Sequence, residues 1–372
     1  MAIIEPEFML LTAGLDLEKF WAENVACEAF TAKKPRCALS ISPDDHWLFE
    51  FAHVPSTLRY YQDKTYRDRL HREVNQVTSR YVGQEFFEES TWAHSPKRIE
   101  NLFGCGFTYI EGSTPWLTHV TDDPDEFARV LDRAEATDVR AWALPDEYRH
   151  EREARKAQGL PLPLLGTGSR GPATIMTSVL RPETVFFWCY DHPQLMQRFS
   201  SILATKMVGL NRVLREFSGN TQPGWWITDD NCALFNRALY REYCYPVLEA
   251  VLAAMAPHNA RRYQHSDSAM GHLLEYQRDL GIRSVNYGPE VDVALIREIQ
   301  PQAVINGHTP PFLLRDGSPD EIKARVLSDF QKAGGTGGLI VTTAGSLAAG
   351  TGVGRMRWYM QCVQEHCRYD RS

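Results

Sequence analysis

From residue 224 onward the chain alternates short apolar or β-branched runs with amphipathic stretches, and this regularity constrains the fold more than any other feature. Gly224–Thr228, Arg261–Ser266, Ser284–Tyr287, Ala303–Asn306 and Gly338–Thr342 read as strands. Tyr240–Ala256, Gly271–Leu280, Asp292–Ile299 and Pro319–Lys332 read as the helices between them, the first with Leu248, Val251 and Leu252 on one stripe. Strands separated by helices at a spacing of roughly 20 to 40 residues pair in parallel through crossovers. A (β/α)8 TIM barrel of α/β class follows, and 372 residues suit a single such domain over 1–372.

The first half is less regular. Ala38–Ser42, Phe107–Ile110, Pro163–Thr167 and Thr174–Val179 are the expected early strands. Glu18–Ala32 and Tyr66–Tyr81 are the expected helices, with residues 1–35 forming a helical N-terminal extension. A doubly wound open sheet is the competing fold, but no GxGxxG turn follows a first strand.

Composition removes several function classes. A formal net charge of −7 argues against nucleic-acid or anionic-membrane partners, which require clustered Lys and Arg. The run Arg149–Lys156 mixes both signs and reads as a solvated helical face. No apolar stretch reaches the length of a membrane span, and Met1–Leu11 carries Glu5 and Glu7 without a basic segment, so a secretory signal is not expected. The eight cysteines form no CxxC pair, so reduced thiols and a cytoplasmic location are expected. Most read as small core residues, with Cys105 the exception.

In a barrel, chemistry collects where strands end. Asp229 and Asp230 follow Thr228; His265 and Asp267 end the next strand; then come Asn286-Tyr287, Asn306-Gly307-His308 and Thr342-Thr343-Ala344-Gly345. Earlier, Asp44-Asp45-His46, Glu111 and Arg170 follow expected strands. His265 and Asp267 lie two residues apart, so an extended backbone projects both from one face, where they can bind a metal or act as an acid/base pair. Structural roles compete at each position. One of Asp229 and Asp230 is expected to cap a helix, Asp267 and Ser268 can cap the helix that begins near Ala269, and His308 can stabilise a loop. Arg170 reads either as an ion-pair partner or as a clamp for a substrate carboxylate. Trp225, Trp226, Phe235, Tyr287 and Phe312 fall near strand ends and could line an apolar pocket or pack in the core.

Taken in order, Gly166-Thr-Gly-Ser-Arg-Gly-Pro-Ala-Thr174, Asp191-His-Pro-Gln-Leu195, Asp229-Asp230, His265-Ser-Asp-Ser268, Asn306-Gly307 and Gly334-Gly-Thr-Gly-Gly-Leu-Ile-Val341 resemble the uroporphyrinogen decarboxylase superfamily over roughly residues 15 to 365. The resemblance implies a (β/α)8 barrel whose chemistry is decarboxylation or methyl transfer. The decarboxylase pattern implies an arginine-rich Met-Arg-Gln-Ala-Gly-Arg segment; this chain has Leu39-Ser-Ile-Ser-Pro-Asp-Asp-His46 instead, which argues against a tetrapyrrole polycarboxylate. The thiol methyltransferases hold zinc through His-x-Cys and a second Cys near the last strand. Here the resemblance retains the His as His265, places Asp267 at the first Cys position and aligns the second with Gly345.

Exchanging thiolate for carboxylate hardens the donor set towards zinc with O/N ligands, manganese or iron. The expected ligands are His265, Asp267 and Asp230, with Asp229, Glu111 and His308 as other candidates for the third. The alternative is a metal-free pair in which Asp267 orients the His265 ring. The leading expectation is an enzyme that transfers or removes a methyl or other one-carbon group on a small organic substrate, with His265, Asp267 and Asp230 catalytic and Arg170, Asp229, Tyr287 and His308 contacting substrate. No corrinoid-binding segment of the Asp-x-His-x-x-Gly type occurs, so a corrinoid would come from a partner or be unnecessary. A second expectation is a decarboxylase or lyase on a small aromatic acid, with Arg170 as clamp and His265 as proton donor. A third is a non-catalytic binder of small molecules. A homo-oligomer is compatible with all three.

Overall fold

Seven parallel strands form the central sheet of the computed structural model, which describes residues 4–33, 35–88, 92–258 and 260–370. In chain order the strands are β1 (Ala38–Leu39), β2 (Phe107–Thr108), β3 (Trp116–Leu117), β4 (Gly168–Arg170), β5 (Trp225–Thr228), β6 (Arg262–Ser266), β7 (Ser284–Tyr287), β8 (Val304–Thr309) and β9 (Leu339–Thr343). The sheet runs β1-β9-β8-β7-β6-β5-β4, and every pairing in it is parallel.

This order belongs to a barrel wall. Neighbours are consecutive in the chain and the last strand returns beside the first, whereas a doubly wound sheet would reverse direction from a central strand. The fold is therefore α/β and TIM-barrel-like. Seven strands rather than eight are found in this sheet among the described residues, with no ladder between β1 and β4. Helices cross between strands as the sequence predicts: Tyr245–Met255 follows β5, Leu274–Asp279 follows β6, Val293–Ile299 follows β7 and Pro319–Asp329 follows β8.

Four early expectations are corrected. Thr174–Val179 lies in a helix, Pro172–Val179, because Gly171 and Pro172 open a helical turn and a distant carboxylate caps it. Phe107–Ile110 contributes β2 to a two-stranded antiparallel ribbon with β3, outside the parallel sheet. The strand expected at Pro163–Thr167 instead forms at Gly168–Arg170, where the absence of a side chain at Gly168 admits the Trp226 ring; a Cβ there would meet the indole at 2.1 Å. The helix expected over Glu18–Ala32 spans only Leu17–Ala22. Ala29 is pressed against Gly338, whose added Cβ would lie 2.7 Å from the Ala29 Cα, so tertiary contact overrides helix propensity there.

Within the expected extension, helices Pro6–Leu11 and Leu17–Ala22 form, while residues 1–3 and 34 lie outside the described residues. The Glu5 carboxylate accepts from the backbone N–H groups of Gly352 and Gly354, both at 3.0 Å, and so caps the last helix, Val353–His366. One contiguous cluster of buried apolar residues runs from Phe8 to Tyr369. All eight cysteines are free and buried, including Cys105, whose thiol burial pushes up to about 12; that corrects its expected exception. No described helix is long and apolar enough to cross a membrane.

Candidate active site

Side chains alternate along β6, so His265 shares its face with Tyr263 while Gln264 and Ser266 are fully buried on the other. Opposite His265 in the parallel register stands Asn286 of β7. His265 Nδ1 lies 2.6 Å from Asn286 Oδ1. The Asn286 amide orientation is fixed by its other end, where Nδ2 donates to the carbonyls of Asn306 at 2.5 Å and Thr343 at 3.0 Å. Its Oδ1 must then accept, and it also receives the Gly345 N–H at 3.1 Å. The proton of the neutral imidazole therefore sits on Nδ1, and Nε2 presents its lone pair outward.

What Nε2 faces is acidic. Asp230, the first residue after the buried Asp229 at the end of β5, places Oδ1 3.4 Å from it. The same oxygen accepts the Asp267 N–H at 3.3 Å. One ligand atom from each of Asp230, His265 and Asp267 lies within 4.8 Å of the others. Burial raises the Asp230 carboxyl above its ordinary value, and the Asp267 charge adds to the rise while His265 opposes it. A divalent cation would offset the cost that burial places on the Asp230 charge. An imidazole lone pair with two carboxylates is a donor set that zinc, manganese or ferrous iron accepts. Gly345 borders the group, with a Cβ there 3.6 Å from that of Asp267 and 4.0 Å from His265 Cε1.

Capping does not compete for Asp267. The following turn, Gly271–Leu273, is preceded by Met270 with no side-chain cap, and Ser268 bonds instead to Ser266, Oγ to Oγ, at 2.7 Å. Capping does claim Asp229, on an unexpected helix. Its side chain is fully buried, Oδ1 accepts the Thr174 N–H at 2.8 Å at the start of Pro172–Val179, and Oδ2 has no hydrogen-bond partner among the described residues. Burial pushes this carboxyl up to about 7. The close fit requires Gly171, where a Cβ would lie 2.2 Å from the Asp229 Cγ.

Several expected residues lie elsewhere. Tyr287 is buried, with its hydroxyl 3.4 Å from Gln300 Oε1, away from His265. His308 is buried against Arg325, which donates to its Nδ1 at 3.2 Å, and burial pushes the imidazole down to about 4. Glu111 caps helix Thr57–Gln62, accepting the Thr57 N–H at 2.5 Å. None of Asp229, Tyr287, His308 or Glu111 joins the Asp230-His265-Asp267 group. Of the five aromatics, Trp225, Phe235 and Tyr287 are core residues, Phe312 is exposed against Arg315, and Trp226 is exposed and lines an open cavity with Tyr263.

A cleft of about 530 Å3 opens beside Asp230. Arg170, at the end of β4, reaches it while tethered to the buried Glu100 at 3.2 Å and to Ser178 Oγ at 3.0 Å. Arg98, over the Phe107 ring at 5.3 Å, lines it as well, with His119 and Trp116, which is 62% exposed. Sequence reading missed Arg98, Phe107, Trp116 and His119. The antiparallel ribbon brings most of them in, and no strand-end pattern marks it.

The family model for uroporphyrinogen decarboxylase (URO-D) matches residues 99–366. Among solved structures, a methyltransferase from Methanosarcina mazei superposes with a TM-score of 0.56 at 14% identity, covering 90% of this chain and 95% of the other, which is a likeness of fold. A sequence comparison with curated proteins finds no match.

Proposed function

The chain belongs to the uroporphyrinogen decarboxylase family, and from that membership we propose a metal-dependent enzyme that transfers or removes a methyl or other one-carbon group on a small organic substrate. Membership supports an enzyme of decarboxylase or methyl-transfer kind in general; the site geometry supports the finer reading. The observation that carries it is the convergence of Asp230, His265 and Asp267, with the His265 lone pair turned towards the two carboxylates.

Asp230, His265 and Asp267 would hold the ion, and Asn286 would keep the imidazole in the ligating tautomer. When bound, a divalent cation supplies Lewis acidity towards a substrate heteroatom. The chain's own residues do the rest. Arg98 and Arg170 attract an anionic group of the substrate into the cleft, and the Glu100 tether holds the Arg170 fork in place. Phe107 and Trp116 provide apolar surface on one side of the cleft for a ring-bearing substrate to pack against.

Elemental analysis with turnover tests this. Purified protein is expected to carry about one divalent ion per chain, lost together with activity in His265→Ala and Asp267→Ala. Unchanged metal content in both variants, or full turnover without metal, sinks the reading. A second reading, decarboxylation of a small aromatic acid, is favoured by the pairing of two guanidinium groups with aromatic walls in the cleft. Carbon dioxide release, as against formaldehyde or a methylated acceptor, separates the two.

A further inference from the structure

The opposite end of the sheet carries a second polar cavity, of about 650 Å3, at the N-terminal ends of β6 to β9. Arg262 enters it from the first position of β6, Arg261 and Arg283 from the residues before β6 and β7, and Lys33 from the segment that covers it. Arg261, Arg283 and Lys33 are exposed. Among the described residues no carboxylate forms an ion pair with any of the three arginines. Glu28 is the one acidic residue of the lining, against four cations.

Hydrogen bonds fix part of this lining in place. Ser284 Oγ accepts from Arg261 Nη2 at 3.4 Å and from Asn306 Nδ2 at 3.3 Å. Arg262 is committed through Nε and Nη1 to the carbonyls of Ala256 and Leu280, which anchors one guanidinium in place. Its pKa is lowered by burial and, secondarily, by the neighbouring Arg283, so like charges crowd here in a chain whose net charge is −7. Concentrating four cations against one carboxylate costs free energy that a bound anion returns.

We propose that this cavity binds a phosphate-bearing small molecule. A single carboxylate would be matched by one arginine, whereas three guanidinium groups and an ammonium around a small-molecule-sized cavity match the charge and the several acceptor oxygens of phosphate. The site is separate from the catalytic cleft: Arg261, the residue before β6, and His265 on β6 stand four residues apart, about 13 Å along an extended backbone. The proposal does not depend on the metal reading.

Calorimetric titration with inorganic phosphate and with pyrophosphate, each against chloride at matched ionic strength, tests it on the full chain. Saturable binding with one site per chain is expected, tighter for pyrophosphate if the natural ligand carries more than one phosphoryl group. Arg283→Gln, whose side chain makes no hydrogen bond among the described residues, is expected to weaken binding roughly tenfold or more. Lys33→Ala, on the covering segment, gives a second and independent loss. Arg98→Gln and His265→Ala are expected to retain the binding, which separates this cavity from the cleft and from a bound metal. Absence of saturable binding, an unchanged affinity in both Arg283→Gln and Lys33→Ala, or loss in Arg98→Gln instead would overturn the proposal.

Discussion

Replacing Asn286 by leucine tests the central claim about the site, that one amide sets the chemistry of His265. The substitution keeps the approximate volume and removes four hydrogen bonds: from His265 Nδ1 and Gly345 N to Oδ1, and from Nδ2 to the carbonyls of Asn306 and Thr343. Each net bond is worth about 1 kcal/mol, so a stability loss of about 2–4 kcal/mol is expected by denaturant titration. The ring also loses the acceptor that keeps its proton on Nδ1. Removing a partner that orients a ligating imidazole typically costs about 10–100-fold in metal affinity or activity, and chelator competition should read a loss of that size. Asn286→Asp is the informative companion. Its carboxylate still accepts from His265 and Gly345 but faces two carbonyl oxygens, so stability falls while the tautomer is retained. A folded Asn286→Leu protein with wild-type metal affinity would refute the argument.

Asp229 makes stability depend on pH. Its folded pKa of about 7 exceeds the ordinary 3.8, so the native state binds the extra proton, and stability falls as pH rises from about 4 to about 7 and then levels. Asp229→Asn, which keeps an acceptor for Thr174 N–H, should remove this component, on the order of a few kcal/mol, in thermal melts across that range. A difference curve between wild type and variant that is flat from pH 4 to 7 would contradict it. Gly171→Ala should cost about 1–3 kcal/mol or more through overlap with Asp229, read as a lowered Tm. Trp116→Ala, on an exposed ribbon position, should leave Tm unchanged and raise KM roughly threefold to tenfold for a ring-bearing substrate. An equal fall in kcat would instead place Trp116 against the reacting group.

Periodicity made the later strands and helices legible. β5 to β9 fall within or within three residues of the segments expected from alternation, because buried parallel strands impose a local pattern that crossover helices punctuate. The early strands are short, three residues or fewer, and carry little pattern of their own. Pro172–Val179 shows the cost: a run of Thr, Ile, Met and Val reads as a strand until a capping carboxylate from β5 is known.

By itself the sequence determined the α/β alternation, the polar residues at the strand ends, and the separation of His265 and Asp267 by one residue on an extended segment. The tertiary structure decided which of those residues meet. His265 and His308 both end strands, yet one faces Asp230 with its tautomer held by Asn286 while the other is buried against Arg325. Asp229 and Asp230 are adjacent, yet one caps a helix from the neighbouring unit and the other converges with His265 and Asp267. Residue type and spacing fix what a side chain can do. Facing direction and partners come from the register of parallel neighbours, which brings together residues tens of positions apart and leaves no mark on any short stretch of chain.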